Sequence, residues 1–124
     1  MGIYNGGKRI LTAKEGKGNN MKSVNHAEVK ELVKSEGLTI VDCFAEWCGP
    51  CKMLKPMLER ISKDYDSAAV NFVAVDIDEN ADFAAENKIR GVPTLLWYKG
   101  GKLVDTTVGV SPEKVIREKI AEHS

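Results

Sequence analysis

The sequence lacks an excess of charge of either sign: 18 basic and 18 acidic side chains leave its 124 residues formally neutral at pH 7. No long block of like charge occurs, so neither nucleic acid nor an anionic membrane surface is an expected partner. No apolar run approaches the roughly 18 residues that a membrane-spanning helix requires, and the N-terminus has no continuous apolar core of a secretory signal. A soluble, cytoplasmic protein is the expectation. A Gly-rich dinucleotide fingerprint is also missing, so any nicotinamide cofactor belongs to another protein. There is no internal repeat. Cysteine is scarce, at three residues. Three cysteines cannot all pair within one chain, which argues against a disulfide-stapled secreted scaffold and for catalytic or metal use of a close pair.

What is present suits one compact domain, with 43% hydrophobic residues and room for a modest core but not for a second domain. Residues 1–20 differ from the rest in their glycines and asparagines, which offer little to pack. They are read as a flexible N-terminal tail, either a native extension or a cloning remnant, with Met21 as an alternative start. The domain itself is placed at 21–124.

Within that domain the apolar pattern gives a regular alternation. A short strand over 21–24 leads to Asn25, whose capping partner Glu28 opens a helix bearing Val29, Leu32 and Val33, with Gly37 as its end. Leu38 to Ala45 is a nearly unbroken apolar run, the mark of a strand buried on both faces, and Asp42 is the one charge inside it. Leu54, Met57, Leu58, Ile61 and Tyr65 recur at helical spacing, so a helix is expected from Cys48 to about Tyr65, interrupted and kinked at Pro56. Val70 to Ile77 reads as a second buried strand. Asp78 or Asn80 then caps a short helix through Asn87, and Gly91 marks a turn. Two strands, Thr94 to Lys99 and Lys102 to Val108, meet at the hairpin glycines Gly100 and Gly101. The last helix takes Ser111 as cap and Pro112 in its first turn, and is expected to bury Val115, Ile116 and Ile120. Helix-separated strands imply parallel crossovers and the hairpin adds an antiparallel edge, so a mixed sheet with helices on both faces follows.

The stretch Phe44-Ala45-Glu46-Trp47-Cys48-Gly49-Pro50-Cys51-Lys52 stands where a strand ends and a helix begins. The first turn of a helix has unsatisfied N–H groups and a partial positive charge, and both favour a thiolate over a thiol. Spacing alone leaves redox and metal use open. Zinc needs four ligands, and only Cys43, His26 and His123 could supplement the pair, at spacings that match no common site. No metal is therefore assigned.

The sequence resembles the thioredoxin family over essentially residues 21–124. Trp47-Cys48-Gly49-Pro50-Cys51-Lys52 matches the family's active-site sequence, Asp42 its buried acid, Pro56 its helix kink, Arg90-Gly91-Val92-Pro93-Thr94 its cis-proline loop and Gly109 the glycine beside its substrate groove. There are departures: Cys43 and Phe44 stand where other apolar or aromatic residues are usual, and Ala74 stands where many bacterial members carry a lysine that pairs with the buried acid. The resemblance implies an α/β thioredoxin fold, with a central mixed five-stranded sheet flanked by four helices. It also implies a monomeric protein-disulfide reductase with no bound cofactor, in which the Cys48–Cys51 disulfide is the redox-active group. Electrons would come from NADPH through thioredoxin reductase, or from a ferredoxin-linked equivalent. Targets would be disulfide-containing proteins such as peroxiredoxins or ribonucleotide reductase.

On this reading Cys48, at the helix end where its sulfur can be exposed, attacks the target disulfide, and Cys51, one turn on and more protected, resolves the mixed disulfide. Asp42 is expected to be raised in pKa by desolvation and to take the proton of Cys51, through a water. Trp47, Gly49, Pro50, Gly91, Val92, Pro93, Val108, Gly109 and Val110 would line a shallow apolar groove in which the Val92 backbone pairs with an extended substrate. Lys52 and Lys55 read either as positive potential near the thiolate or as solvated helix charges. Cys43 reads as a small core hydrophobe, and His26 and His123 receive no catalytic task. The alternatives are a binding module whose docking is gated by redox state, and a disulfide oxidant or isomerase.

Overall fold

The computed structural model describes residues 3–5, 8–10 and 21–124, with side chains over 21–124. The flexible tail expected over 1–20 lies mostly outside the described residues. Within it, β1 (Ile3–Asn5) and β2 (Lys8–Ile10) pair antiparallel, an element its composition did not suggest.

Nine further elements follow, six of them alternating before a closing hairpin and helix: β3 (Lys22–Ser23), α1 (His26–Leu32), β4 (Leu38–Phe44), α2 (Gly49–Ser62), β5 (Val70–Asp76), α3 (Ala81–Glu86), β6 (Thr94–Lys99), β7 (Lys102–Val108) and α4 (Glu113–His123). The main sheet has the order β3-β5-β4-β6-β7. β4 is thus its central strand, paired parallel with β5 and antiparallel with β6. Its near-continuous apolar sequence follows from that position, because both of its faces and both of its edges are covered. Side chains at even positions, Leu38 and Ile40, pack with Leu54, Leu58 and Ile61 of α2 and Ile116 and Ile120 of α4. Those at odd positions, Val41 and Cys43, pack with Val29 of α1 and Phe83 of α3. A period of two in the strand sends alternate side chains to opposite layers, and one helix pair closes each layer.

Several expectations are corrected. β6 runs antiparallel to β4 although a helix separates it from β5. A parallel crossover must carry the chain back along a seven-residue strand, about 23 Å, whereas the six residues of α3 rise only about 9 Å. The chain therefore turns at Pro93 and returns from the same end of the sheet. α1 ends at Leu32, with Val33 as its C-cap, so Gly37 does not terminate it. Gly37 instead meets backbone: a Cβ there would lie 2.6 Å from the Ala68 carbonyl oxygen and 2.9 Å from that of Ala69. α2 stops at Ser62, and Tyr65 packs beyond it beside Phe72. Pro112, not Ser111, is the N-cap of α4, without a side-chain cap bond, and Val115 is exposed while Ile116 and Ile120 are buried. The expected Asn25–Glu28 capping box is present, and Gly100 and Gly101 both adopt the positive φ that a tight hairpin demands.

Asp42 projects from the middle of this sheet, 1% exposed, between Ala74 on β5 and Leu95 on β6. Neither of its carboxylate oxygens has a hydrogen-bond partner among the described residues. Burial raises its pKa from 3.8 to about 7, with the Lys55 charge pulling the other way.

Two consequences follow for stability. Because the folded-state pKa of Asp42 is raised, its carboxyl is harmless below about pH 4, destabilises progressively as pH rises toward 7, and destabilises fully above that. The stability of Asp42→Asn relative to wild type is expected to increase by on the order of 4 kcal/mol between those limits; urea unfolding at pH 4, 6 and 8 measures this, and a pH-independent difference would refute it. Gly37→Ala is expected to cost about 1–3 kcal/mol, because backbone atoms must move to admit the methyl group. Urea midpoints at constant slope report that loss.

Candidate active site

The end of β4 delivers the chain into a short turn whose Cys48 N–H bonds the Ala45 carbonyl at 3.1 Å. Cys48 then serves as N-cap of α2: its Sγ accepts the Cys51 N–H at 3.1 Å, and Gly49 and Pro50 fill the first helical positions. Proline is suited to that place because its missing N–H would have had no intrahelical partner. No acidic residue occupies the first turn of α2, so the positive helix end is left to act on sulfur. Cys48 and Cys51 form a disulfide.

The two cysteines are 3% and 4% exposed, so exposure does not separate an outer from an inner sulfur as the sequence reading expected. Phe44, Ile77 and Val92 pack against the cluster that the two cysteines form with Ala45. What separates them is their surroundings: Cys48 caps the helix, whereas Cys51 lines a cavity of about 130 Å³ shared with Asp42. That volume is ample for water, and polar groups are present to hold it. Lys52 and Lys55 also line the cavity, as do Phe44 and Glu46. Lys55 lies with its Nζ 5.9 Å from the centroid of the Phe44 ring.

Beside the disulfide, the Val92-Pro93 peptide bond is cis. The Gly91 carbonyl accepts a 2.7 Å bond from the Thr94 hydroxyl, and the Pro93 carbonyl accepts the Gly109 N–H at 2.8 Å. Gly109 has φ +86, a conformation that disfavours any side chain. The loop before β6 and the end of β7 are thereby tied together next to the cysteines. The Val92 backbone has no hydrogen-bond partner among the described residues. Trp47, Val108 and Val110 are exposed, at 70%, 73% and 40%. Gly91 is exposed as well, and so is Pro50.

Trp47 is held by a side-chain hydrogen bond. Its indole N–H donates to Asp78 Oδ2 at 2.8 Å, which fixes the ring while leaving its apolar surface in solvent. Asp78 was expected only as a possible helix cap. The cap position of α3 belongs to Asn80, whose side chain instead accepts the His26 N–H and donates to the Asp76 carbonyl. Nothing in the local sequence pairs Trp47 with Asp78, since the contact spans 31 residues. Lys55 had a signal available: it follows Cys51 by four residues, which puts both on one helical face.

Cys43 points to the opposite layer and is fully buried; burial, then the Asp42 charge, pushes its thiol up to about 12. It is a core side chain. Among the described residues no group of three or more His, Cys, Asp and Glu side chains could hold a metal ion, and no helix of these residues is long and apolar enough to cross a membrane.

The Thioredoxin family model matches residues 20–122. A thioredoxin of Chlorobaculum thiosulfatiphilum is 43% identical over 93 residues, covering 75% of this chain and 85% of that protein. The solved structure of Malassezia sympodialis thioredoxin superposes with a TM-score of 0.77 at 34% identity, covering 87% of this chain and 93% of the other. A chain from a structural study of thiol resolution in yeast mitochondrial 1-Cys peroxiredoxin, via glutathione and thioredoxin systems, gives 0.72 at 29% identity, with 83% and 95% covered. Helix-capping cysteines, cis-proline loop and whole-domain similarity agree: the chain belongs to the thioredoxin family and is a protein-disulfide reductase that works through a redox-active cysteine pair.

Proposed function

We propose that the two cysteines divide the reaction according to their surroundings. The Cys48 thiolate, favoured by the N-terminus of α2, attacks one sulfur of a target disulfide; a mixed disulfide forms and the target's other sulfur leaves as thiolate. The Asp42 carboxylate accepts the Cys51 proton through water in the shared cavity. The Cys51 thiolate then attacks Cys48 Sγ, closing the Cys48–Cys51 disulfide and expelling the second target thiolate. Two electrons have passed to the target. Thioredoxin reductase restores the dithiol with electrons from NADPH. The observation that carries this assignment is the cavity lined by both Asp42 and Cys51, because a carboxyl raised to about 7 suits proton exchange near neutrality.

Substrate binds along Trp47, Gly49, Pro50, Gly91, Val92, Pro93, Val108, Gly109 and Val110. The free Val92 backbone supports pairing with an extended segment, and the exposed apolar side chains beside it support contact that depends little on target sequence. Broad target range is the consequence. Peroxiredoxins and ribonucleotide reductase are suitable target classes, the protein acts as a monomer over its 21–124 domain, and a cytoplasmic setting with a reductase would keep the pair reduced.

NADPH-coupled insulin reduction with thioredoxin reductase tests the assignment. Cys48→Ser is expected to abolish turnover, and Cys51→Ser to accumulate the mixed disulfide. Asp42→Asn is expected to slow resolution near pH 7 by on the order of 10²-fold. If Asp42→Asn resolved at the wild-type rate from pH 6 to 9, Asp42 would not be the base; if Cys51→Ser trapped nothing while Cys48→Ser did, the order of the cysteines would be reversed.

A further inference from the structure

Among the described residues three large apolar side chains are more than two-thirds exposed: Val108 at 73%, Trp47 at 70% and Met53 at 69%. Single apolar residues on a surface are ordinary, but these three gather round the disulfide. Trp47 precedes Cys48 in the chain, and Val108 pairs with Thr94, the residue after Pro93. Met53 lies on α2 one turn beyond Gly49 and outside the Leu54, Leu58 and Ile61 spacing that faces the core. Gly49 and Pro50 precede it by four and three residues, so all three share one face of the helix. A helical side chain leans over the turn before it, which carries the Met53 thioether toward the rim of the disulfide. Gly49 leaves room there, since a Cβ on it would meet nothing within 4 Å. Gly49 is thus the floor of a notch beside Cys48, with Pro50 and Met53 at its sides. Pro56 and Met57 continue this face, which carries no charge until Arg60, and Arg60 is held by Glu113 at 2.6 Å.

We propose that Gly49, Pro50 and Met53 form an apolar subsite beside Cys48 that takes an apolar side chain of the target segment flanking the attacked disulfide, and that Met53 thereby sets a preference for protein over small disulfides. This rests on the groove assigned above, which the subsite continues along α2. The occupant follows from the activity. A protein disulfide that reaches Cys48 brings its own chain onto the surface beside that sulfur, whereas a small disulfide has no chain to lay on Met53. Methionine suits many occupants, because its unbranched, polarisable side chain adapts to different shapes. An apolar contact made equally before and during sulfur exchange lowers KM and leaves kcat unchanged.

The test compares insulin with 2-hydroxyethyl disulfide as substrates of the whole chain, recycled by thioredoxin reductase and NADPH. Met53→Gln keeps the length of the side chain and removes its apolar character. It is expected to raise KM for insulin about five-fold with kcat held within about two-fold, and to lower the ratio of kcat/KM for insulin to that for the small disulfide by a similar factor. Met53→Leu is expected to restore both. An insulin KM unmoved in Met53→Gln, or raised as much in Met53→Leu, would overturn the subsite. Val108→Gln, on the other side of the disulfide, separates the two readings. A normal insulin KM there as well would overturn the groove and the subsite with it, whereas a raised one beside an unmoved Met53→Gln would overturn the subsite alone. Sedimentation checks the other occupant: a wild-type dimer that Met53→Gln dissociates would assign this face to a second copy of the chain and overturn the proposal.

Discussion

A carboxyl group held without a hydrogen-bond partner in the middle of the central strand is the constraint on which the arrangement of this protein turns. An ionised carboxylate in such surroundings is strongly disfavoured, so the group must stay protonated over much of the pH range or be offset by charge and water. The fold offers both means in one place. A cavity opens between β4 and α2 on the side where Asp42 projects, and a lysine stands on the helix that walls it. The same helix brings Cys51 to the cavity and Cys48 to its own N-terminus, which puts the acid, the two sulfurs and the cation within one short segment of chain and one strand.

The redox pair is positioned by backbone geometry more than by side-chain contacts. Cys48 caps a helix and accepts the Cys51 N–H, so closing or opening the disulfide leaves the first turn of α2 with a sulfur at its positive end. The cis peptide bond before Pro93 and the Pro93–Gly109 hydrogen bond hold the neighbouring loop where an incoming chain would meet an unpaired backbone. Exposed apolar side chains flank that edge, and Trp47 is kept among them by Asp78. Backbone-held sulfurs and openness at the surface fit an enzyme that exchanges disulfides with other proteins.

Much of this was legible in the sequence because it depends on local spacing. Leu38 to Ala45 read as a doubly buried strand, the Gly100-Gly101 pair as a hairpin, and Cys48 to Cys51 as a reactive cysteine pair at a helix start, since each follows from neighbours in the chain. It took the resemblance of the whole stretch to a known family to choose redox over metal use. Contacts over long sequence separation were not legible. The antiparallel course of β6 depends on the length of α3, Gly37 on the distant Ala68 and Ala69 carbonyls, and the orientation of Trp47 on Asp78. Exposure of the cysteines was misjudged for a related reason: Phe44, Ile77 and Val92, far apart in the chain, pack against the cluster that the cysteines form with Ala45. The sequence also left open how Asp42 is tuned beside Ala74; in the structure burial raises its pKa and the Lys55 charge opposes that rise.

The central claim is that burial sets the ionisation of Asp42 near the pH at which the enzyme works. Direct titration of the Asp42 carboxyl in the wild-type protein, by ¹³C NMR with Asp42→Asn to assign the resonance, measures it. A midpoint near 7 is the expected result, and a midpoint at the ordinary carboxylate value of about 4 would contradict the account.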